Sequence, residues 1–250
     1  MRLLVLGGTG FAGPPRVADL GACGSVRVMS QHTQRPDTVL LDVDGTLIDS
    51  NYWHVTAWQQ AFAEAGAWQP AWRLHSCIGM GGDRLVAAVA GDDLEERLGD
   101  TVRASWKRIY DRMLPNVHAF RHASELIAEL KRRGFRVVLA SSGNPDHLDY
   151  AQRLLGQQDL IDAVTTGEDV ESTKPSGELF KQALSKAGGE RGVVIGDTPW
   201  DGEAAADLDA PVIGVRCGGF SAQALTGSGA SVVFDDPSDL LAHLGQTLLA

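Results

Sequence analysis

Short apolar segments alternate with amphipathic segments along most of this chain. Continuously apolar runs, as expected for strands covered on both faces, predict six strands. These runs are residues 38–42, 135–141, 162–166, 192–197, 211–215 and 231–235. Helical spacing of apolar positions predicts helices over 123–134, 147–156, 177–189, 201–209 and 239–249. The alternation predicts an α/β fold with a doubly wound, Rossmann-like parallel sheet.

One long stretch, from Asn51 to Leu114, breaks this alternation because its pattern is helical throughout. Helices are predicted in "YWHVTAWQQAFAEAG", in "DRLVAAVA" and across "DLEERLGDTVRASWKRIYDRML". An insertion of roughly 65 residues is too long for a connection, so it predicts a small helical domain whose aromatic residues form its own core. We therefore divide the chain into an N-terminal extension (1–35), a core domain (36–50 and 115–250) and a helical cap domain (51–114).

Composition limits the possible functions. The 250 residues are 44% hydrophobic and 22% charged, which is typical of one or two globular domains. A net charge of −10 disfavours nucleic acids and acidic membranes as partners, and no apolar run is long enough to span a bilayer. Cys23, Cys77 and Cys217 lack the spacing of a metal site and indicate reduced thiols in a cytoplasmic protein. We expect a monomer or a weak homodimer.

The strongest chemical signal is the segment "LLDVDGTLIDS", in which a predicted strand ends at Asp42 and Asp44 follows two residues later. Ligands bind at the carboxyl ends of parallel strands. Two carboxylates placed there repel each other unless a cation lies between them or one of them is protonated. The pair is therefore half of a metal site or a nucleophile with its acid–base partner. A solvated Asp-x-Asp-Gly turn is the alternative.

Polar residues follow three further predicted elements. Ser141 and Asp197 end two other strands, Asp201 lies one helical turn after Asp197, and Lys174 precedes a helix that Pro175 opens. Individually, each has an ordinary explanation as a helix cap, a turn residue or a solvated lysine. Their joint occurrence favours a single site.

In these motifs, "DVDGT", Ser141, Lys174 and "GDTPWD", the chain resembles the haloacid dehalogenase superfamily from about Thr38 to its C-terminus. Most members of that superfamily are phosphatases. The resemblance implies a central first strand flanked by the second and fourth strands. It also implies that the helical insertion is a small cap that closes over the site.

The resemblance implies a Mg²⁺-dependent phosphomonoester hydrolase that acts on a small phosphorylated metabolite. Asp42 would be the nucleophile that forms an aspartyl-phosphate, and Asp44 would be the general acid and base.

Mg²⁺ would be held by Asp42, the Asp44 backbone carbonyl and Asp197, with Asp201 supporting a metal-bound water or Lys174. Lys174 would balance negative charge. The phosphoryl group would be bound by Ser141 and by backbone groups of Val43, Asp44, Ser142 and Gly143. Asp44 also favours phosphate chemistry over carbon–halogen cleavage, which needs no proton donor.

Two cap features are candidates for contact with the substrate. His54 lies early on the first cap helix, and the loop "CIGMGGDRLV" presents Gly81 and Arg84. A surface histidine and a solvated arginine are the alternatives. The β-phosphoglucomutases carry an arginine for a second phosphate where this chain has Gly82, which favours a phosphatase, with a phosphomutase as the alternative.

The N-terminal segment "MRLLVLGGTGFAG" resembles the start of a nucleotide-sugar epimerase, with Gly7, Gly10 and Gly13 as a phosphate loop. An NAD-dependent oxidoreductase is therefore a remote alternative. However, Met29-Ser30-Gln31 offers no acidic residue for the ribose, and the main sheet already begins at Thr38. We expect a vestigial or mis-assigned leader with translation starting at Met29. A structural extension is the second possibility.

Deletion of residues 1–28 tests this expectation. We expect solubility and turnover to stay unchanged, because the predicted core and its motifs begin after Met29. Expression yield and steady-state turnover of the shortened and full chains provide the measurement. An insoluble product would instead support a structural extension.

Overall fold

The computed structural model of the protein describes residues 35–250, and these form a single parallel sheet with helices around it. The N-terminal predictions, including the Gly7, Gly10 and Gly13 motif, Cys23 and a start at Met29, fall outside the described residues. The sheet has the strand order β3-β2-β1-β4-β5-β6. Its strands are β1 (Thr38–Leu41), β2 (Arg136–Ala140), β3 (Ala163–Thr165), β4 (Gly192–Gly196), β5 (Val212–Val215) and β6 (Ala230–Phe234).

All six predicted strands are confirmed, and so is the central position of β1 between β2 and β4. Several strands end one residue earlier than predicted, immediately before the polar residue at the end of the apolar run. Asp42 is an example: it follows β1, and its backbone N–H donates to Ile195 O of β4 at 2.9 Å. The apolar runs therefore stop at the edge where ligands bind in open α/β sheets.

Helices cover both faces of the sheet, as the continuously apolar strands predict. Leu40, Val138 and Val194 pack on one side with Phe180, whereas Leu41 belongs to the larger cluster on the other side. The helices are α1 (Asn51–Glu64), α2 (Ala71–His75), α3 (Gly82–Ala90), α4 (Asp92–Met113), α5 (Ala123–Arg132), α6 (Pro145–Leu155), α7 (Glu178–Lys186), α8 (Pro199–Ala206), α9 (Ala222–Gly227) and α10 (Pro237–His243).

Two of these helices, α2 and α9, were not predicted, because five and six residues are too few to show a helical period. The last helix ends at His243 rather than at 249, and a 3-10 turn over Leu244–Gln246 follows it. None of the helices in the described part of the chain combines the length and the apolar character needed to cross a bilayer.

The four helices α1–α4 form the predicted helical insertion between β1 and β2. Its centre is apolar: Phe62 and Tyr110 are completely buried, and Trp58 is nearly so. Trp58 and Phe62 contact each other with ring centroids 6.2 Å apart. These side chains pack α1 against α4 and belong to the same apolar cluster as one face of the sheet.

We predict that Phe62→Ala lowers the free energy of unfolding by about 3–5 kcal/mol, because it leaves a cavity in the insertion. Trp72→Ala is the matched control, since the Trp72 side chain is 74% exposed. Urea denaturation of both variants provides the measurement. Equal losses in the two variants would contradict this description of the cap interior.

Candidate active site

Asp42 and Asp197 lie side by side because β1 and β4 are parallel neighbours that end at the same edge. Thr46 connects the two carboxylates. Its hydroxyl lies 3.0 Å from Asp42 Oδ2 and 2.9 Å from Asp197 Oδ1. A hydroxyl has one proton, so Thr46 donates to one carboxylate at a time. The two carboxylates predicted from separate strand ends therefore belong to one site.

Lys174 reaches this site from the loop before α7 and is almost completely buried. Its Nζ contacts Asp42 Oδ1 and lies 2.8 Å from Asp201 Oδ1. Burial alone would lower the pKa of Lys174, but the charges of Asp201 and Asp42 hold it above the ordinary value. The lysine is therefore a buried cation shared by two carboxylates.

Negative charge exceeds positive charge in this site. Asp42, Asp197 and Asp201 each place one carboxylate oxygen within 4.8 Å of the others. Among residues 35–250, Lys174 is the cation at this cluster and contacts Asp42 and Asp201, so one positive charge faces three carboxylates. Burial raises the pKa of Asp42 to about 7 despite Lys174, and burial with the nearby charges of Asp42 and Asp201 raises that of Asp197 well above its ordinary value. A divalent cation with hard oxygen ligands matches this charge and donor set.

The Asp44 side chain turns away from the three carboxylates. Ser50 Oγ donates to Asp44 Oδ1 at 2.8 Å, and His54 Nε2 lies 3.1 Å from the same oxygen. Ser141 Oγ donates to Asp44 Oδ2 at 3.1 Å. Burial would raise the pKa of Asp44, but the hydrogen bonds from His54 and Ser50 hold it well below its usual range. Asp44 is therefore an ionised acceptor in this arrangement.

Asn51, which the sequence analysis missed, secures Asp197 from the cap side. As the first residue of α1, it donates from Nδ2 to Asp197 Oδ2 at 2.8 Å and to Gly218 O at 3.0 Å. Gly45 makes room for it, because a Cβ there would lie 2.3 Å from Asn51 Nδ2, and its φ of +78° favours glycine. Asn51 Oδ1 is buried without a hydrogen-bond partner among residues 35–250. In the sequence, the feature that could have indicated Asn51 is its place at the start of a predicted helix, directly after the segment "LLDVDGTLIDS".

A cavity of about 60 Å³ lies between these strand ends and the cap. Trp58 and Trp106 form part of its wall, with ring centroids 4.8 Å apart and planes at 12°. These aromatic residues therefore line the site as well as the cap interior, which the sequence analysis did not predict. Six of the predicted site residues line the cavity: Asp42, Asp44, His54, Gly81, Ser142 and Gly143.

Other predicted residues lie beside the cavity. Ser141 is buried beneath it and accepts a hydrogen bond from Gly143 N at 3.0 Å. Val43 is buried, and its carbonyl accepts backbone hydrogen bonds in the turn after β1. Arg84 is not among the lining residues; its guanidinium hydrogen-bonds Ser172 Oγ. An anion-binding role for Arg84 stays a prediction.

The sequence model of the family described as haloacid dehalogenase-like hydrolase matches residues 36–209. The chain belongs to this family. The fold agrees with that of a haloacid dehalogenase-like hydrolase, an α/β core with a helical cap. A crystal structure of a hydrolase from Pseudomonas syringae superposes with a TM-score of 0.79 and 31% identity, covering 84% of this chain and 98% of that chain.

Two curated relatives of this haloacid dehalogenase-like hydrolase have named activities. It is 28% identical over 188 residues to validoxylamine A 7'-phosphate phosphatase of Streptomyces hygroscopicus subsp. limoneus, covering 73% of this chain and 84% of the relative. It is 25% identical over 222 residues to pyrophosphatase PpaX of Bacillus velezensis, covering 83% and 96% of the two chains. Both names denote enzymes that cleave phosphate bonds.

We predict that Asp197→Asn has opposite effects with and without Mg²⁺. Because the pKa of Asp197 is raised in the folded protein, ionisation of this carboxyl group destabilises the folded state. The destabilisation is absent below about pH 4, where the group is protonated in the folded and unfolded states, and it grows as the pH rises above that value. In EDTA at pH 8 the variant should therefore melt at least about 3 °C higher than the parent. The asparagine can still accept from Asn51 and can donate to Thr46. With Mg²⁺ the parent should gain stability and the variant should not.

Thermal melts at pH 4 and pH 8, with EDTA or Mg²⁺, provide the measurement. Asp159→Asn, which changes an exposed aspartate, is the control and should behave as the parent. A variant that melts below the parent in EDTA at pH 8 would show that the carboxylates do not repel one another.

Proposed function

We propose that this protein is a Mg²⁺-dependent phosphomonoester hydrolase that acts on a small phosphorylated metabolite through an aspartyl-phosphate. The observation that carries the proposal is the buried cluster of three carboxylates and one lysine beneath a capped cavity. The validoxylamine A 7'-phosphate phosphatase supports hydrolysis of a phosphate ester, and the pyrophosphatase supports hydrolysis at phosphorus more generally.

The carboxylates of Asp42 and Asp197 and the backbone carbonyl of Asp44 would hold Mg²⁺. When bound, the ion supplies positive charge that offsets the repulsion between the phosphoryl group and the carboxylates. Asp201 pairs with Lys174, and its other oxygen accepts from Thr198 Oγ1 at 2.7 Å. These contacts suit Asp201 to a supporting role, in which it fixes the lysine.

Asp42 would attack phosphorus through a carboxylate oxygen, and the bond from phosphorus to the ester oxygen would break. Lys174 holds Asp42 in one orientation and offsets charge that accumulates on the phosphoryl oxygens. The Ser141 hydroxyl, which donates to Asp44 in the described arrangement, would turn to those oxygens, and the backbone N–H groups of Ser142 and Gly143 would donate to them as well. Water would then attack the aspartyl-phosphate and release inorganic phosphate.

Asp44 would protonate the departing ester oxygen and later take a proton from the attacking water. In the described arrangement it is ionised and bound to Ser50 and His54. Donation therefore requires Asp44 to acquire a proton and to leave at least one of these hydrogen bonds. His54, which lines the cavity next to Asp44, is placed to control this change.

The experiment is a phosphate-release screen over phosphorylated metabolites, with Mg²⁺ and with EDTA. We expect Mg²⁺-dependent release that Asp42→Asn lowers by about a thousandfold or more, because the nucleophile is lost. Asp159→Asn should retain the parental rate. Full activity in Asp42→Asn would refute the assignment of the nucleophile. Conversion between glucose 1-phosphate and glucose 6-phosphate without phosphate release would support the phosphomutase alternative.

A further inference from the structure

We infer that this site selects phosphate esters whose leaving group carries no negative charge of its own, neutral or amine-bearing compounds rather than carboxylates or bisphosphates. The inference rests on the proposed function and adds the class of substrate. It comes from the residues that surround the space above Asp42 rather than from the residues that perform the chemistry.

The cap wall of the cavity offers nothing that pairs with an anion. It is formed by the rings of Trp58 and Trp106, by Leu85 and by backbone around Gly81, with His54 held by Asp44. No lysine or arginine is among the described residues that line the cavity. An anionic leaving group would lose its hydration against this wall without gaining a counter-charge, which is costly.

Arg103, which lines the cavity adjoining this one, and Arg84, which follows Gly82 and Asp83 in the chain, already have partners. The Arg103 guanidinium contacts Glu95 at 2.7 Å, Asp100 at 2.8 Å and the Gly82 carbonyl at 3.1 Å. Arg84 hydrogen-bonds Ser172 and lies 3.7 Å from Asp83. Engaging Arg103 with a substrate would disrupt its ion pairs with Glu95 and Asp100, and engaging Arg84 would break its hydrogen bond to Ser172.

The cavity next to the site is lined by acidic side chains. A second cavity of about 310 Å³ adjoins the first, since Gly82, Trp106, Ser142 and Gly143 line both. A leaving group too large for the first cavity would meet the lining of the second. Its lining adds Asp83, Glu168 and Glu171, whereas its one arginine is the paired Arg103. These carboxylates repel an anionic leaving group and tolerate a hydroxyl or an ammonium.

Gly82 is the position where a single substitution would change this selectivity. It lines both cavities. A Cβ added there would meet Arg103 Cδ at 3.4 Å and the Trp58 ring at 3.7 Å, so a side chain can enter with little adjustment. An arginine at this position would bring a cation to the space that the leaving group occupies.

The first test compares matched pairs of esters with the full-length enzyme and Mg²⁺. The pairs are glucose 6-phosphate with 6-phosphogluconate, fructose 6-phosphate with fructose 1,6-bisphosphate, and ethanolamine phosphate with phosphoglycolate. In each pair that is turned over, we expect kcat/KM to be at least about tenfold higher for the neutral or amine-bearing member than for the anionic member. Preference for the anionic members would overturn the inference but leave the proposed hydrolase intact. Absence of turnover for every ester would overturn both.

The second test uses Gly82→Arg, with Gly82→Gln as a control of similar length and no charge. Gly82→Arg should raise kcat/KM for the anionic member relative to its partner by about tenfold or more, and Gly82→Gln should leave that ratio unchanged. Thermal melts establish that both variants are folded. A ratio that does not change in folded Gly82→Arg, or that changes equally in both variants, would overturn the inference.

Discussion

Excess negative charge at one edge of the sheet is the constraint around which this molecule is organised. Three buried carboxylates lie close together, and the one ammonium group beside them, that of Lys174, contacts only Asp42 and Asp201. Strands that are parallel neighbours hold Asp42 and Asp197 in place. Such a cluster is unfavourable by itself, because buried like charges repel. Lys174, Thr46 and Asn51 reduce the cost without removing it. The remaining imbalance is what suits the site to a divalent cation and a phosphate ester.

The cap participates in this electrostatic arrangement directly. Its first helix begins with Asn51, which binds Asp197, and one turn later His54 approaches Asp44. On the other side, Thr173, next to Lys174, accepts from Gly81 N at 3.1 Å and donates to Asp83 at 2.5 Å. The cap therefore contacts Asp44 and Asp197 directly, and it contacts the segment that carries Lys174 through Thr173. A change in cap position would alter the chemistry and the space for substrate together.

Family membership and substrate preference depend on different parts of the chain. The match over residues 36–209 places the protein among the haloacid dehalogenase-like hydrolases. In the proposed mechanism the carboxylates and Lys174 would carry out the reaction at phosphorus, which relatives with different named substrates would share. The leaving group would instead meet Trp58, Trp106 and Gly82, which line the cavity, and the charges around them would decide which leaving groups bind.

The sequence by itself determined the sheet, the helical insertion and the places of Asp42, Ser141 and Asp197, because apolar runs and the polar residues that end them are local features. Lys174 follows no strand, and it was included through the family resemblance. The short helices α2 and α9 were not predicted, because five or six residues are too few to show a helical period. Only the tertiary structure decided that Asn51 holds Asp197, that the Asp44 side chain turns toward His54 and that Trp106 lines the cavity. These facts depend on side-chain directions and on contacts between residues far apart in the chain, which no local pattern records.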